Sequence, residues 1–166
     1  MKILFSTDTQ NPSSTEILFG LLELEDQELL KRLNSTLFPV AYESSFYNQL
    51  FSSSVYFNFL AHTKDEYVGL CSLKIEKLDK KAYIFTFGIF PNLRGTGLGT
   101  FVLRTLESYL LNSFNCSFIG LHVHVLNEKA KLFYVKNGYN IESIVDDYYA
   151  DILSPSAYFM SKELKC

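Results

Sequence analysis

The sequence predicts an α+β fold of one domain, with a mixed, mostly antiparallel sheet, a central pair of parallel strands and flanking helices in an α/β/α sandwich. Two observations support this prediction. A strand–helix–strand unit of the length needed for a parallel crossover runs from Ala82 to Val125. Strands joined by short polar turns precede this unit, and a further pair of strands follows it, which is typical of antiparallel pairing.

The length and composition suit a single globular domain. The chain has 166 residues, of which 48% are hydrophobic and 20% charged, enough to build a core. Residues 1–15 are polar after Phe5 and contain the breaker Asn11-Pro12-Ser13-Ser14. We therefore predict an N-terminal extension over 1–15, in which flexibility is to be expected, and the folded domain over 16–166.

Several function classes are disfavoured by charge and composition. A net charge of -3 argues against direct nucleic-acid binding, which normally needs a basic surface. Three scattered cysteines, Cys71, Cys116 and Cys166, indicate neither a disulfide framework nor a zinc site. No apolar run is long enough for a secretory signal or a membrane span, so we expect a cytoplasmic protein that does not bind membranes.

The first half of the chain predicts two helices and three strands. Asp26 is placed to cap a helix with Leu29, Leu30, Leu33 and Leu37 on one face, which must end before Pro39. A short second helix is expected to begin at Ser44 or Ser45. The predicted strands are Glu16–Leu22, Val55–Ala61 and Tyr67–Ile75.

The second half predicts alternating strands and helices. Ala82–Phe90 is apolar on both faces, as a central covered strand would be. Asn127 is placed to cap a helix that Asn137-Gly138 ends. The remaining predicted elements are helix Gly97–Asn112, strand Phe118–Val125, helix Glu128–Lys136, strand Tyr139–Val145, a Tyr-rich loop and strand Ala157–Glu163.

A glycine-rich turn between a strand and a helix is the main chemical motif. Gly95, Gly97 and Gly99 leave backbone N–H groups uncovered at a helix start, where the helix dipole favours an anion. Arg94 adds a fixed positive charge. The spacing is neither a Walker A motif nor the dinucleotide fingerprint, and a plain glycine turn before a helix is the alternative.

The spacing Arg94-x-x-Gly97-x-Gly99 resembles the acetyl-CoA pyrophosphate loop of the GNAT acetyltransferase superfamily. Asn127, Ala130, Tyr134 and Gly138-Tyr139 resemble the downstream GNAT pattern N-x-x-A-x-x-x-Y-x-x-x-G-F/Y. With both halves at the expected separation, the chain is identified as a member of this superfamily.

Five further segments together resemble the N-terminal acetyltransferases of the NatE type, the San (separation-anxiety) family, over about residues 16 to 164. Two departures are visible. The N-terminal extension has no counterpart, and Leu93 stands where many relatives have a second basic residue. The five segments are Leu30-Lys-Arg-Leu-Asn34, Phe38-Pro-Val-x-Tyr42, Tyr83-Ile-x-Thr86, Leu121-His-Val123 and Asp147-Tyr-Tyr149.

The resemblance implies an enzyme that needs acetyl-CoA and no metal. Tyr134 is expected to protonate the departing thiolate, although a core-packing tyrosine is the alternative. A backbone N–H near Phe87 to Ile89, aimed by a bulge at Gly88, is expected to hold the developing oxyanion. The residues expected to contact CoA are Phe87, Gly88, Ile89, Arg94, Gly95, Thr96, Gly97, Leu98, Gly99, Thr100, Asn127 and Tyr134.

His122 is the candidate base for removing a proton from the acceptor amine. A protein α-amine has a pKa of about 7.7–8.0 against about 10.4 for lysine, so a mild base suffices. Imidazole titrates near neutrality, and the resemblance implies that Tyr83 and His122 hold a water that takes the proton. A structural histidine and a core tyrosine are the alternatives. His124 shares the face of His122, but no third metal ligand is placed nearby, so we expect it to line the site or serve structure.

The resemblance also implies a peptide-binding slot between two loops, with Tyr83 and His122 at its base. The slot would take the N-terminus of a nascent or mature protein, with Met followed by an apolar residue. The alternative is that these apolar side chains only cap the core. The loop residues are Phe38, Pro39, Val40 and Tyr42 after the first helix, and Tyr148, Tyr149 and Ile152 between the last two strands.

The resemblance further implies other N-terminal acetyltransferase subunits and the ribosome as partners. Two rival functions stay open at this point. One is a GNAT enzyme acting on lysine side chains or a small amine. The other is a non-catalytic acyl-CoA-binding subunit of an acetyltransferase complex.

Overall fold

The computed structural model describes residues 2–8, 16–149 and 155–165, which contain eight strands and four α-helices. The strands are β1 (Lys2–Asp8), β2 (Glu16–Leu21), β3 (Tyr56–His62), β4 (Tyr67–Glu76), β5 (Lys81–Ile89), β6 (Phe118–His124), β7 (Asn140–Val145) and β8 (Ala157–Glu163). The helices are α1 (Gln27–Leu37), α2 (Ser44–Leu50), α3 (Leu98–Phe114) and α4 (Glu128–Lys136). No helix in the described ranges is long and apolar enough to cross a membrane.

The sheet is mixed, with strand order β1-β2-β3-β4-β5-β6-β8-β7. β5 and β6 run parallel, in a register from Lys81 opposite Phe118 to Ile84 opposite Leu121. The pairs β1–β2, β2–β3, β3–β4, β6–β8 and β7–β8 are antiparallel. The predicted α+β class, with a central parallel pair joined through a crossover helix, is confirmed.

The chain divides into two compact units, Met1–Lys74 with Thr86–Leu106, and Ile75–Phe85 with Glu107–Cys166. β5 and α3 contribute residues to both units. The first unit buries a cluster formed by Ile17, Phe19, Ala61, Val68, Ile89 and Val102. The second unit buries Leu110, Cys116, Ile119, Leu121, Tyr139 and Met160, among others.

The predicted N-terminal extension contains a strand, β1, that the sequence pattern did not predict. The domain boundary at residue 16 stays a prediction. β1 pairs antiparallel with β2, from Lys2 opposite Leu21 to Asp8 opposite Glu16. An unpaired edge of β2 would expose a row of N–H and C=O groups, and β1 satisfies them. Residues 2–8 become polar toward their end, so their sequence pattern does not predict a strand. They form one because they pair with β2. Residues 1 and 9–15 lie outside the described residues.

Two predicted helix caps are wrong. Asp26 precedes α1 but gives no side-chain cap to it. Its Oδ2 instead accepts from the N–H of Glu23 at 3.1 Å, which stabilises the short 3-10 turn Leu24–Asp26 before the helix. The N-cap of α2 is Glu43, one residue before the predicted serines.

The two later helices begin as predicted, within one residue. The Asn127 side chain accepts from the N–H of Ala130 at 3.1 Å and caps α4, and Gly138 follows its end with φ +88°. α3 runs two residues beyond the predicted Asn112, and Asn115 with φ +55° ends it. Asparagine tolerates the left-handed region, which is why it can replace glycine there.

Candidate active site

The glycine loop leads from the 3-10 turn Pro91–Leu93 into α3, and its shape depends on two glycines. Gly95 has φ +79° and Gly97 has φ +90°, in the region that glycine adopts without strain. A Cβ added at either position would meet no atom within 4 Å, so this backbone is open. The Thr96 hydroxyl donates to the Leu93 carbonyl at 2.7 Å and braces the turn.

Arg94 brings a cation to the same loop. Its Nε donates to the Ile89 carbonyl at 2.8 Å, so the guanidinium is anchored at the end of β5 while the residue stays exposed. The first turn of the 17-residue α3 supplies N–H groups without intrahelical acceptors and the positive end of the helix dipole. An open backbone, an anchored cation and a helix start together fit an anionic group such as a pyrophosphate.

Gly88 is where the loop after α1 meets β5. A Cβ added at Gly88 would lie 3.0 Å from Phe38 Cζ and 3.5 Å from Leu37 Cβ. Buried positions along β5 alternate through Ala82, Ile84 and Thr86, and the next one is Ile89. The alternation of buried and half-buried positions shifts by one residue at Phe87–Gly88, as it does at a β-bulge. The predicted bulge and the predicted oxyanion role stay predictions.

The loop after α1 carries an aromatic cluster. Tyr42 stacks on Phe46 at 4.5 Å between ring centroids and meets Phe38 edge-on at 6.3 Å. Pro39 is exposed and Val40 is 46% exposed. An apolar, partly exposed loop with rigid aromatic rings is suited to hold an apolar side chain of a ligand.

A hydrogen-bonded trio forms the polar centre of the second unit. Tyr83 Oη lies 2.7 Å from His122 Nδ1 and 2.8 Å from Tyr148 Oη. The parallel register puts Tyr83 opposite Gly120, so Tyr83 and His122 are diagonal neighbours on one face of the sheet. Because the Tyr83 hydroxyl has one proton, donation to His122 leaves it to accept from Tyr148.

Aromatic side chains surround His122 and Tyr83 and shield both residues from part of the solvent. The His122 ring stacks on Tyr148 at 4.0 Å and 14°, and Phe159 lies 5.1 Å away. Burial lowers the pKa of His122 below its ordinary value. Burial raises the pKa of Tyr83, and its interactions with the Tyr148 hydroxyl add to this. Burial also raises the pKa of Tyr149 to about 12. At neutral pH the imidazole is therefore a neutral acceptor among protonated hydroxyls.

His124 has a local structural contact. Its Nδ1 accepts from the N–H of Leu126 at 3.3 Å, and its ring lies 5.4 Å from that of Tyr149. Among the residues that the structure describes, no group of three or more His, Cys, Asp or Glu side chains is placed to hold a metal ion. These contacts agree with a site-lining or structural role for His124.

Tyr134 is buried near the end of α4. Its ring lies 5.2 Å from that of Tyr139 at 64°, and its carbonyl accepts from the N–H groups of Asn137 and Tyr139. Packing of this kind is compatible with the core alternative as well as with the predicted role toward the thiolate. The role of Tyr134 stays a prediction.

Residues 23–139 match the model of the Acetyltransferase (GNAT) family. The chain belongs to the GNAT acetyltransferase family. It is therefore an acyltransferase that uses acetyl-CoA, as the glycine loop and the Asn127–Tyr139 pattern predicted.

Two relatives carry the more specific resemblance. The probable N-acetyltransferase san of Drosophila melanogaster is 30% identical over 138 residues, which cover 82% of this chain and 74% of that protein. N-alpha-acetyltransferase 50 of Danio rerio is 33% identical over 153 residues, which cover 88% of this chain and 90% of that protein. The predicted resemblance to the San and NatE type is confirmed.

Two solved structures also match this chain. Arabidopsis thaliana Naa50 in complex with the bisubstrate analogue CoA-Ac-MVNAL matches with a TM-score of 0.74 and 30% identity, covering 88% of this chain and 97% of that chain. The ribosomal-protein-S18-alanine N-acetyltransferase of Escherichia coli matches with a TM-score of 0.77 at 18% identity, covering 90% and 95%. The second match shows a shared fold alone.

The structure brings some of the predicted GNAT site residues together, in two groups. In the first unit, Phe38 meets Gly88, and Arg94 is anchored at Ile89. In the second unit, Tyr83, His122 and Tyr148 are hydrogen-bonded or stacked. Ile152 lies outside the described residues.

Sequence reasoning missed two residues of the second group. Phe159 contacts His122, and a Cβ added at Gly120 would lie 3.0 Å from the Phe159 ring. Gly120 precedes His122 by two positions on a strand, which places both on one face. That spacing was the available signal, whereas Phe159 depends on the register of β8 against β6.

Proposed function

We propose that this GNAT enzyme acetylates the α-amine of peptide and protein N-termini, nascent or mature, with Met followed by an apolar residue preferred. The hydrogen-bonded pair Tyr83–His122 is the observation that carries the proposal, because it offers a neutral base matched to an α-amine. The likeness to N-alpha-acetyltransferase 50, and to a structure holding an analogue with a Met-Val peptide part, supports this choice of acceptor.

Acetyl-CoA would supply the acetyl group as a thioester. The neutral amine nitrogen would bond to the acetyl carbon as the C–S bond breaks, and the Tyr134 hydroxyl would give the departing thiolate its proton, so that CoA leaves as a thiol. Arg94 and the backbone N–H groups from Gly95 to Thr100 would hold its pyrophosphate. The backbone of Phe87, Gly88 and Ile89, the Asn127 amide and the Tyr134 hydroxyl would meet the rest of the molecule. Asn127 keeps its amide nitrogen for this purpose, since its Oδ1 caps α4.

Tyr83 and His122 would move the proton. A water held between the substrate amine and Tyr83 Oη accepts the amine proton and passes a proton to Tyr83. Tyr83 gives its own hydroxyl proton to His122 Nδ1, which is 2.7 Å away. The raised pKa of Tyr83 keeps the tyrosinate form from accumulating, and the proton rests on the imidazole.

Two loops would select the substrate. Phe38, Pro39, Val40 and Tyr42 offer an apolar surface for the first side chain, and Val40 is already exposed to solvent. Tyr148 and Tyr149 offer hydroxyls for the peptide backbone. As the NatE resemblance implies, we expect these loops to favour a chain end over a lysine presented from the middle of a chain.

Two peptides test the proposal when acetyl-CoA consumption and product mass are measured for each. One peptide starts with a free Met-Leu, and the other has a blocked N-terminus and one internal lysine. The expected result is turnover of the Met-Leu peptide at least about tenfold faster, with His122→Ala lowering that turnover by about 10²-fold or more. Turnover confined to the blocked peptide assigns lysine or small amines instead. CoA binding with turnover of neither peptide indicates a non-catalytic subunit.

The NatE resemblance carries a further part of this proposal, namely a cytoplasmic enzyme that docks on other N-terminal acetyltransferase subunits and on the ribosome. Sedimentation of the tagged chain through a sucrose cushion with and without ribosomes tests this. Co-sedimentation lost at about 0.5 M salt, where surface charges are screened, is the expected result. A chain that stays in the supernatant at low salt contradicts it.

A further inference from the structure

We propose that Phe159 is a positioning residue that holds the His122 ring against Tyr83, and that position 120 is glycine to leave room for the Phe159 ring. The inference rests on the proposed role of His122 as the base. It concerns two residues to which neither the motifs nor the proposed mechanism gives a role.

The strand register places the three side chains in a row. Phe159 on β8 is directly opposite His122 on β6, and His122 is the diagonal neighbour of Tyr83 on β5. The ring centroids of Phe159 and His122 are 5.1 Å apart, and Tyr83 Oη is 2.7 Å from His122 Nδ1. A His122 ring that moved away from Tyr83 along this row would therefore meet Phe159.

Gly120 explains how the Phe159 ring reaches this place. A Cβ at Gly120 would lie 3.0 Å from Phe159 Cε2 and 3.1 Å from its Cζ, closer than carbon atoms pack without a shift. Gly120 has no positive φ, so backbone conformation gives no reason for a glycine at this position. The space above Gly120 is occupied by the edge of the ring that contacts His122.

Among the described residues, the polar groups beside the His122 ring are the hydroxyls of Tyr83 and Tyr148. Tyr83 bonds its Nδ1 and Tyr148 stacks on its face, and within the described residues no charged group contacts the ring. Phe159 is the contacting side chain that offers no hydrogen bond. Its contribution is therefore steric, and it keeps water from that side of the imidazole.

The test replaces Phe159 and follows two readouts in the full chain. Phe159→Leu is expected to lower kcat for the Met-Leu peptide about tenfold, with the acetyl-CoA KM unchanged, because a misplaced base costs turnover and not cofactor binding. NMR titration is expected to show the His122 pKa moving up toward its ordinary value. The spectrum of His122→Ala assigns this signal among the three histidines. Phe159→Tyr, which keeps the ring, is expected to restore kcat to within about twofold.

A matched control and a double variant separate positioning from general damage. Phe114→Leu makes the same change at another half-buried phenylalanine of the second unit, the last residue of α3, whose ring lies 5.6 Å from that of Tyr109, and leaves both readouts unchanged. Gly120→Ala is expected to lower kcat. The double variant Phe159→Leu with Gly120→Ala is expected to have the same kcat as Phe159→Leu alone, because leucine does not fill the space above residue 120.

Unchanged kcat and an unchanged His122 titration in Phe159→Leu would overturn the positioning role, as would strictly additive losses in the double variant. Failure of the proposed function looks different. If His122→Ala keeps full turnover, His122 is not the base. The titration of wild type and Phe159→Leu then still reports whether Phe159 shapes its surroundings.

Discussion

The imidazole of His122 lies in surroundings that remove water without supplying a counter-charge. Burial is the cause of its lowered pKa, and its hydrogen-bond partner is a tyrosine and not a carboxylate. An aspartate partner would stabilise the imidazolium and raise the pKa of the histidine. A tyrosine leaves the ring neutral at working pH, which suits an acceptor of protons from a weakly basic α-amine.

The pH dependence of turnover follows from this. At saturating peptide, kcat is expected to fall on the acid side with a midpoint below about 6.5, because His122 must be neutral to act and its pKa is lowered. The neutral form predominates above the midpoint and is lost as the pH falls through it. Initial rates from pH 5 to 9 provide the measurement.

The pH profile of kcat/KM is expected to show a second ionisation near pH 8, which is that of the substrate α-amine. This ionisation serves as the internal control, because it persists in every active variant. Tyr83→Phe should keep that ionisation while lowering kcat about tenfold or more. An acid midpoint above 7 would contradict the assignment of His122.

Helix ends show how one side chain can serve an element and a ligand. Asn127 Oδ1 is used by the N–H of Ala130, whereas its amide nitrogen is proposed to face acetyl-CoA. Asp26 illustrates the limit of such assignments, since its carboxylate serves the preceding turn instead of α1. Several N–H groups compete for one acceptor at a helix start, and only the tertiary path of the preceding turn decides which obtains it.

Asn127 variants separate its two functions. Asn127→Ala is expected to lower the free energy of unfolding by about 1 kcal/mol through loss of the cap, and to raise the acetyl-CoA KM. Asn127→Asp keeps a capping oxygen and removes the amide donor, so stability is retained while the KM still rises. Chemical denaturation and steady-state kinetics measure the two effects. An unchanged KM in both variants would reduce Asn127 to a cap.

The loop between α1 and α2 has its own prediction. Phe38→Ala is expected to raise the peptide KM about tenfold, because it removes the ring that lies against Gly88 and packs edge-on against Tyr42. The acetyl-CoA KM should not change. Phe57→Ala, which removes another half-buried phenylalanine on β3, controls for general loss of packing. An unchanged peptide KM in Phe38→Ala would remove this loop from the substrate slot.

Two long elements belong to both compact units, and one ion pair joins segments that are far apart in the sequence. β5 and α3 run through both compact units. Within the second unit, Lys162 on β8 donates to Glu107 on α3 at 2.5 Å, with side-chain exposures of 22% and 8%. Burial makes each partner dependent on the other, because a lone charge there keeps little hydration.

Lys162→Met is expected to destabilise the fold by about 3 kcal/mol, because it leaves the Glu107 carboxylate buried without its ammonium partner. Adding Glu107→Leu should recover most of the loss, since the double variant has no buried charge. Lys165→Met, at an exposed pair with Glu163, is the matched control with no measurable change expected. Urea denaturation curves measure the free energy of unfolding of each variant. A Lys162→Met chain that is as stable as the wild type contradicts the prediction.

Residue patterns were enough to predict the α+β class, the parallel crossover, the glycine loop before α3 and the cap and end of α4. Each of these depends on local rules, namely hydrophobic period, the φ angles open to glycine, and capping spacing, which act over a few residues. They also identified the family, because both GNAT motifs are local patterns.

Contacts between side chains that are distant in sequence depend on how the strands and helices pack. Tyr83, His122 and Tyr148 are joined by hydrogen bonds across 39 and 65 residues of sequence, and Phe159 reaches His122 through the register of β8 on β6. β1 becomes a strand because β2 offers it an edge. Strand register is set by the packing of a whole face, and a shift of one residue would turn each of these side chains to the other side of the sheet. Such contacts cannot be inferred from the spacing of residues along the chain.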